Sequence, residues 1–393
     1  MSLLDKIRTS NALRDAEYLR RNRIEHVARD GEFALVDGKQ LLNFSSNDYL
    51  GFAQHPKIIA AFQKGAAQYG VGSAGSALVS GYFSAHRVLE QQAAELFGYE
   101  ACLFVSSGYL ANIGILQTLL DEKSLCVQDK LNHACLLDGA RFSGCMLKRF
   151  AHQDITHAES ICEQQSSDTI FIISDGVFSM DGDAANLSAL VTLAEKYAAT
   201  LMIDDAHGVG VLGETGLGSL HAAKLSTADV PILVIPAGKA LGGQGALILA
   251  SKNIIQYLVE SSRAYVFSTA PAPAMAVALS QSLRCLANEP EHHSVLQKNI
   301  RYFKMLTEQL QLPMMPSHSA IQPLLVGNNL RALHIAELLR EQGFWLSAIR
   351  PPTVPQGKAR LRITLTALHT AEHIERLVEA LSNTLKNNDA AAY

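Results

Sequence analysis

The 393-residue sequence has no excess of basic charge, no paired cysteines and no long uninterrupted apolar run, and each lack removes a class of function. Its 33 basic residues against 37 acidic ones leave a formal net charge of −4. Without a basic field to draw in a polyanion, nucleic acid is set aside as a partner. The six cysteines (Cys102, Cys126, Cys135, Cys145, Cys162 and Cys285) are scattered, with no C-x-x-C pair. A disulfide scaffold needs denser cysteines and a zinc site closer pairs, so reduced thiols in a cytoplasmic enzyme are expected. The histidines show no H-E-x-x-H or similar spacing, and no metal is expected. The most apolar stretch, Val230 to Ser251, is broken by Pro231, Pro236, Lys239 and four glycines, which excludes a membrane span. The first thirty residues are charged and helix-like and lack the apolar centre of a secretory signal, so a soluble protein is expected.

What is present is an ordinary globular balance, with 48% hydrophobic and 18% charged residues, in a chain longer than one core usually takes. Short apolar runs alternate with segments of helical period. The runs are Ala101 to Val105, Thr169 to Ile173, Thr200 to Ile203, Ile232 to Ile235 and Ala246 to Leu249. Strands apolar on both faces imply a largely parallel sheet covered by helices on both sides. Leu187 to Ala199, between two runs, has the spacing of an amphipathic helix. Beyond about Pro290 the texture changes to helices over Ser294 to Leu310, Ala332 to Gln342 and Ala371 to Lys386, with strands near Phe344 to Ile349 and Ala359 to Thr366. The expected architecture is α/β: an N-terminal helical arm and strand (1–45) packing with a small C-terminal α+β domain (289–393), and a large domain (46–288) around the mostly parallel sheet.

In parallel α/β sheets ligands sit beyond the carboxyl ends of the strands, so polar residues that close apolar runs are the first candidates. Asp204 and Asp205 end one run, with His207 close behind. A carboxylate ending a buried strand is costly without a cation. The protonated ring nitrogen of pyridoxal 5′-phosphate is such a cation, and it must stay protonated for the ring to act as an electron sink. At ~4 Å and an effective dielectric near 20 the pair is worth roughly 4 kcal/mol, on the order of three pKa units. Taken alone, Asp204 reads equally well as a loop carboxylate or helix cap, and His207 as a loop histidine. Lys239 lies in Ile235-Pro-Ala-Gly-Lys239-Ala-Leu-Gly-Gly-Gln-Gly245, among glycines and between two apolar runs, which suits a lysine that must reach a crowded ring. An isolated lysine reads as a surface turn; the flanking runs reverse that preference. Ser106-Ser-Gly108-Tyr109 passes from strand into helix, where free N–H groups bind phosphate, although an ordinary serine cap reads the same way.

Two further patterns fail on context. Gly208-Val-Gly-Val-Leu-Gly213 spells a dinucleotide fingerprint, but Asp204 and Asp205 would repel pyrophosphate and the glycines at 213, 216 and 218 leave no helix start. Gly238-Lys239 lacks the upstream glycine and following Ser/Thr of a phosphate-binding loop.

Beyond these residues, longer strings carry a resemblance. Asn43-Phe-Ser-Ser-Asn-Asp-Tyr-Leu-Gly51, Asp175-Gly-Val-Phe-Ser179-Met-Asp-Gly-Asp183, Asp204-Asp-Ala-His207-Gly and Ala348-Ile-Arg-Pro-Pro-Thr353-Val-Pro are similar to those of the α-oxoamine synthases, over nearly the whole chain. These are fold-type-I pyridoxal-phosphate enzymes that join an amino acid to an acyl thioester. The resemblance implies a Schiff base on Lys239, Asp204 facing the ring nitrogen, and His207 and Ser179 at the phenolic oxygen. It further implies His133 stacked on the ring and Gly108 and Tyr109 at the phosphate. Arg21, Thr353, Arg362 and His133 would meet the substrates, with Arg362 pairing with the amino-acid carboxylate, a task suited to a guanidinium fork. Surface readings of Arg21 and Arg362 stand beside these. The implied reaction is the decarboxylative condensation of L-alanine with a pimeloyl thioester, carried on coenzyme A or an acyl carrier protein, by a homodimer with its active site at the interface. Glycine or serine with another acyl-CoA, or a catalytically silent partner subunit, are the alternatives; a dinucleotide-dependent dehydrogenase is a third. One departure stands out. The family usually has a threonine three residues before the lysine, and Pro236, with neither hydroxyl nor N–H, occupies that place. Ser268 or Thr269 of a neighbouring subunit would compensate.

Overall fold

The computed structural model of the protein describes residues 1–164, 167 and 169–390. The chain divides into two compact units, one of residues 47–179 and 183–294, the other of residues 1–46, 180–182 and 295–393.

The first unit is built on one seven-stranded sheet. In spatial order its strands are Ala101–Val105, Ala246–Ala250, Ile232–Pro236, Thr200–Asp204, Thr169–Asp175, Ser124–Asp129 and Met146–Phe150. Ala246–Ala250 runs antiparallel to both neighbours, and the other pairings are parallel. Ser124–Asp129 and Ala246–Ala250 are buried at every position, because helices cover both faces of the sheet. Leu103, Ile115, Leu116, Cys126, Met202 and Val234 belong to one cluster that fills the space between the sheet and the helix Gly108–Leu119. All five expected runs are strands. Two strands lacked an apolar signature: Ser124–Asp129 ends in Gln and Asp, and Met146–Phe150 lies at the sheet's margin, where Lys148 and Arg149 reach solvent.

The helix expected from Leu187 to Ala199 spans Leu187–Lys196, with Asn186 as its N-cap accepting from the Ala189 N–H, and stops before Ala198, whose φ is +47°. No helix starts within Gly208 to Gly213; that stretch folds back on itself, and Asp205 Oδ2 would sit 2.1 Å from a Cβ placed on Gly218.

The second unit contains the helices Leu3–Ala16, Asn329–Glu341 and Ala371–Ala390 and two small sheets. One joins Ala28–Asp30, Phe33–Val36 and Lys39–Asn43 to Phe344–Trp345, so the N-terminal strands and the C-terminal residues share a sheet. The other orders Ile321–Gly327, Ala359–Thr364 and Ser347–Ile349, all antiparallel. The single strand expected near Phe344 to Ile349 is thus two, one for each sheet. No helix among the described residues is long and apolar enough to cross a membrane.

Candidate active site

Within the first unit the strands ending at Val105, Asp129, Asp175, Asp204 and Pro236 point their carboxyl ends to one edge of the sheet. A cavity of about 140 Å³ opens there, lined by Gly108, Tyr109, His133, Cys135, Asp175, Ser179, Asp204, Ala206, His207, Pro236 and Lys239. The structure therefore brings together all seven residues expected around the cofactor: Gly108, Tyr109, His133, Ser179, Asp204, His207 and Lys239.

Each is placed by local structure. Gly108 opens a helix capped by Ser107, whose hydroxyl accepts from the Leu110 N–H at 3.2 Å. The N–H groups of Gly108 and Tyr109, in the first turn, have no intrahelical acceptor. Glycine is required here by space, since a Cβ at 108 would come within 2.7 Å of Pro236 Cγ. Asp204 is 4% exposed; Asn112 Nδ2 donates to its Oδ2 at 2.5 Å and the Ala206 N–H to its Oδ1 at 3.0 Å. Its neighbour Asp205 turns the other way, bonded to the Ser219 N–H and hydroxyl at 2.8 and 2.5 Å. Burial pushes the Asp205 carboxyl up to about 6, despite those bonds. His207 Nδ1 lies 2.5 Å from the Tyr49 hydroxyl. The His133 N–H donates to Asp175 Oδ2 at 2.9 Å, and burial, then the Asp204 charge, hold the Asp175 carboxyl well above its ordinary range.

Tyr49, Asn112, Cys135 and Asp175 were not assigned roles from the sequence. Asn112 had a usable signal, since it lies four residues after Gly108 and so on the same helix face. Tyr49 had none, because it reaches His207 across 158 residues of chain.

Of the substrate residues, Arg21, Thr353 and Arg362 belong to the second unit. Arg21 Nη2 donates to Thr353 Oγ1 at 2.8 Å, and both line a cavity of about 530 Å³ with Arg20, Arg340, Trp345 and Arg350. Arg350 reaches the main-chain carbonyls of Tyr18 and Arg20, which fixes the stretch before Arg21. Arg362 is 6% exposed in the strand Ala359–Thr364, with Nη1 donating to Thr364 Oγ1 at 3.0 Å.

The donor set at the sheet edge suits one kind of molecule. An amine, two buried carboxylates, two imidazoles, the Ser179 hydroxyl and a helix N-terminus face one small cavity, and Asn112 Oδ1 beside it is buried with no partner. That arrangement fits pyridoxal 5′-phosphate, which carries an aldehyde, a basic ring nitrogen and a phosphate, and it defines the class as a pyridoxal-phosphate enzyme of fold type I. A sequence model described as aminotransferase class I and II matches residues 39–381, and the chain belongs to that family. It is 44% identical over 388 residues to an 8-amino-7-oxononanoate synthase of Saccharophagus degradans, covering 98% of each chain. It is also 44% identical to one of Klebsiella pneumoniae, covering 96% of each. Among solved structures it resembles serine palmitoyltransferase of Sphingomonas wittichii, with a TM-score of 0.94 and 26% identity over 99% of this chain and 100% of that one. It also resembles 8-amino-7-oxononanoate synthase of Francisella tularensis, with a TM-score of 0.78 and 30% identity over 88% of this chain and 98% of that one.

Proposed function

We propose that the protein condenses L-alanine with a pimeloyl thioester, giving 8-amino-7-oxononanoate, carbon dioxide and free thiol. The observation that carries this reading is the meeting of Lys239, Asp204 and His133 at one cavity in a chain so similar to synthases of that name.

Bound pyridoxal 5′-phosphate supplies an aldehyde and a protonated ring that withdraws electrons from the substrate Cα. The Gly108 and Tyr109 N–H groups would hold its phosphate, Asp204 its ring nitrogen, and His207 and Ser179 its phenolic oxygen. Asn112 and the Ala206 N–H brace both Asp204 oxygens, so that the carboxylate cannot swing from the ring. His133 would stack on the ring and limit the orientation of bound alanine. Lys239 Nζ would hold the aldehyde and, as a free amine, would take the proton from the alanine Cα. That carbon then attacks the thioester carbonyl and the thiol leaves. After the carboxylate has departed as carbon dioxide, the same amine returns a proton to Cα. Arg362 would pair with the alanine carboxylate, a task suited to a guanidinium fork, and Arg21 and Thr353 would meet the substrates.

The working form in this reading is a cytoplasmic homodimer. Val71, Val79 and Phe267 are 94%, 84% and 73% exposed, a set of apolar side chains that a second copy would cover. The bridge between Ser76 and Thr269 joins the segments that carry them. Ser268 and Thr269 would then supply the partner's phosphate site with hydroxyls, and an S268A/T269A double variant should bind cofactor more weakly.

Thiol release from purified protein tests the reaction. L-Alanine with pimeloyl-CoA or pimeloyl carrier protein should release thiol fastest. Faster release from glycine with acetyl- or succinyl-CoA, or from serine with a long acyl-CoA, would move the assignment to a sibling reaction.

A further inference from the structure

Outside the lining of the cofactor cavity, a single imidazole stands between two carboxylates of the first unit. His152 Nδ1 lies 2.9 Å from Asp129 Oδ1, and its Nε2 lies 2.8 Å from Asp183 Oδ2. A neutral imidazole has one N–H, so two carboxylate contacts call for the doubly protonated ring. Burial opposes that charge, but the bonds to Asp129 and Asp183 outweigh it and raise the His152 pKa to about 9. The adjacent Gln153 reinforces both contacts: its N–H donates to Asp129 Oδ2 at 2.9 Å and its Nε2 to Asp183 Oδ2 at 2.5 Å.

The two carboxylates belong to different walls of the cavity. Asp129 ends the strand Ser124–Asp129 and organises the turn that follows, accepting from the Leu131 N–H at 2.8 Å through Oδ1 and from the Asn132 N–H at 3.2 Å through its carbonyl. The next residue is His133. Asp183 closes the other turn: its carbonyl accepts from the Phe178 N–H at 2.9 Å, and Val177 pairs with Ala184. The residue after Phe178 is Ser179. The Phe178 ring is fully buried and meets the His152 ring edge-on, with centroids 4.5 Å apart.

We propose that His152 is a positioning residue for the cofactor: held between Asp129 and Asp183, it fixes the turn that carries His133 against the turn that carries Ser179. The inference rests on the cavity being the cofactor site. Without the cation, Asp129 and Asp183 lose the charged donor they share, Gln153 is left as the residue that joins them, and the two walls are tied less firmly at a set spacing. His133 above the ring and Ser179 at its phenolic oxygen would then lose their mutual register, although neither is altered.

The test uses holoenzyme saturated with pyridoxal 5′-phosphate, comparing wild type with His152→Leu and Asp183→Asn. The readouts are the visible circular dichroism per bound cofactor and the cofactor Kd from equilibrium dialysis. Loss of stability alone lowers the melting temperature and leaves the dichroism of bound cofactor in place, because that signal reports the ring's orientation in its walls. His152→Leu should at least halve the dichroic amplitude and weaken cofactor binding fivefold or more, with Asp183→Asn shifting both in the same direction by less. Wild-type amplitude and a Kd within twofold of wild type in His152→Leu would overturn the proposal. If that variant does not fold, the same two readouts on Asp183→Asn decide. A wild-type protein with no visible cofactor band would instead overturn the reading of the cavity itself.

Discussion

Replacing Pro236 with threonine should tighten cofactor binding. Pro236 ends the strand Ile232–Pro236 and lines the cavity against Gly108, the first residue of the helix whose N–H groups are assigned to the phosphate. A threonine hydroxyl there would stand beside those N–H groups and add one hydrogen bond to an anion. Such bonds contribute about 1.5–3 kcal/mol. At ~1.4 kcal/mol per factor of ten, the cofactor Kd should fall by about tenfold or more. The same change frees the unfolded chain and should cost the apoprotein about 0.4–1 kcal/mol of stability. The two effects have opposite signs and different readouts, so they do not mask each other. Pyridoxal 5′-phosphate titrated into apoprotein, followed by its absorbance, measures the first; urea denaturation of the apoprotein measures the second. Pro236→Ala, which adds no hydroxyl, is the control and should leave the affinity unchanged. A folded Pro236→Thr variant that binds no more tightly than wild type would refute both the placement of the phosphate and the view that proline weakens its hold.

Lys239→Ala should abolish turnover and the borohydride-reducible chromophore while leaving the far-ultraviolet spectrum intact; substantial turnover in that variant would refute its assignment. Arg362→Lys should raise the KM for L-alanine about tenfold, equivalent to roughly 1.4 kcal/mol, because an ammonium cannot form the paired contact of a guanidinium. Steady-state kinetics at saturating thioester would show it, with the cofactor Kd unchanged. Glu90 predicts a pH dependence. Its oxygens accept from the Tyr82 hydroxyl at 2.6 Å and the Phe104 N–H at 2.9 Å, and burial pushes its pKa up to about 7. The folded state thus holds a proton that the unfolded chain releases near pH 4.5, so its contribution is complete below that pH and is lost as pH rises through about 7. Relative to Glu90→Gln, wild type should lose up to about 3 kcal/mol between pH 4.5 and 8. Urea denaturation of both proteins across that range checks it, and a difference independent of pH would sink the argument.

The parts of the fold legible in the sequence were those with a one-dimensional signal. Buried strands such as Ala246–Ala250 and amphipathic helices such as Leu187–Lys196 carry their burial in their own composition. Ser124–Asp129 does not: Gln128 is fully buried, but its amide is satisfied by the Leu136 carbonyl at 2.9 Å, a contact with a helix that composition alone does not reveal. Asp204, His207, Lys239, Gly108 and Tyr109 were legible because strand ends are where this architecture puts chemistry, whereas His133 and Ser179 came from the resemblance alone. The groups that hold them were not legible. Tyr49 and His152 act on side chains far away in sequence, with Asn112, at helical spacing from Gly108, the exception, and the resemblance says nothing of what fixes His207, Asp204 and Ser179.

The same limit explains why position alone could not choose among the acids. Asp129, Asp175, Asp204 and Asp205 follow apolar runs or end buried strands, and all are at most 5% exposed. Their partners separate them. Asp129 is taken by His152 and two main-chain N–H groups, and Asp205 by both donors of Ser219. Asp175 and Asp204 remain at the cavity, side by side in the parallel pairing of their strands. Two buried carboxylates this close repel, and Asp175, next to the Asp204 charge, is the one pushed toward its protonated form. Asp204 is braced at both oxygens by neutral donors, which orient it. A buried carboxylate is costly unless a cation pairs with it. A protonated ring nitrogen does so, which makes Asp204, and not its three neighbours, the acid that the cofactor's ring should meet.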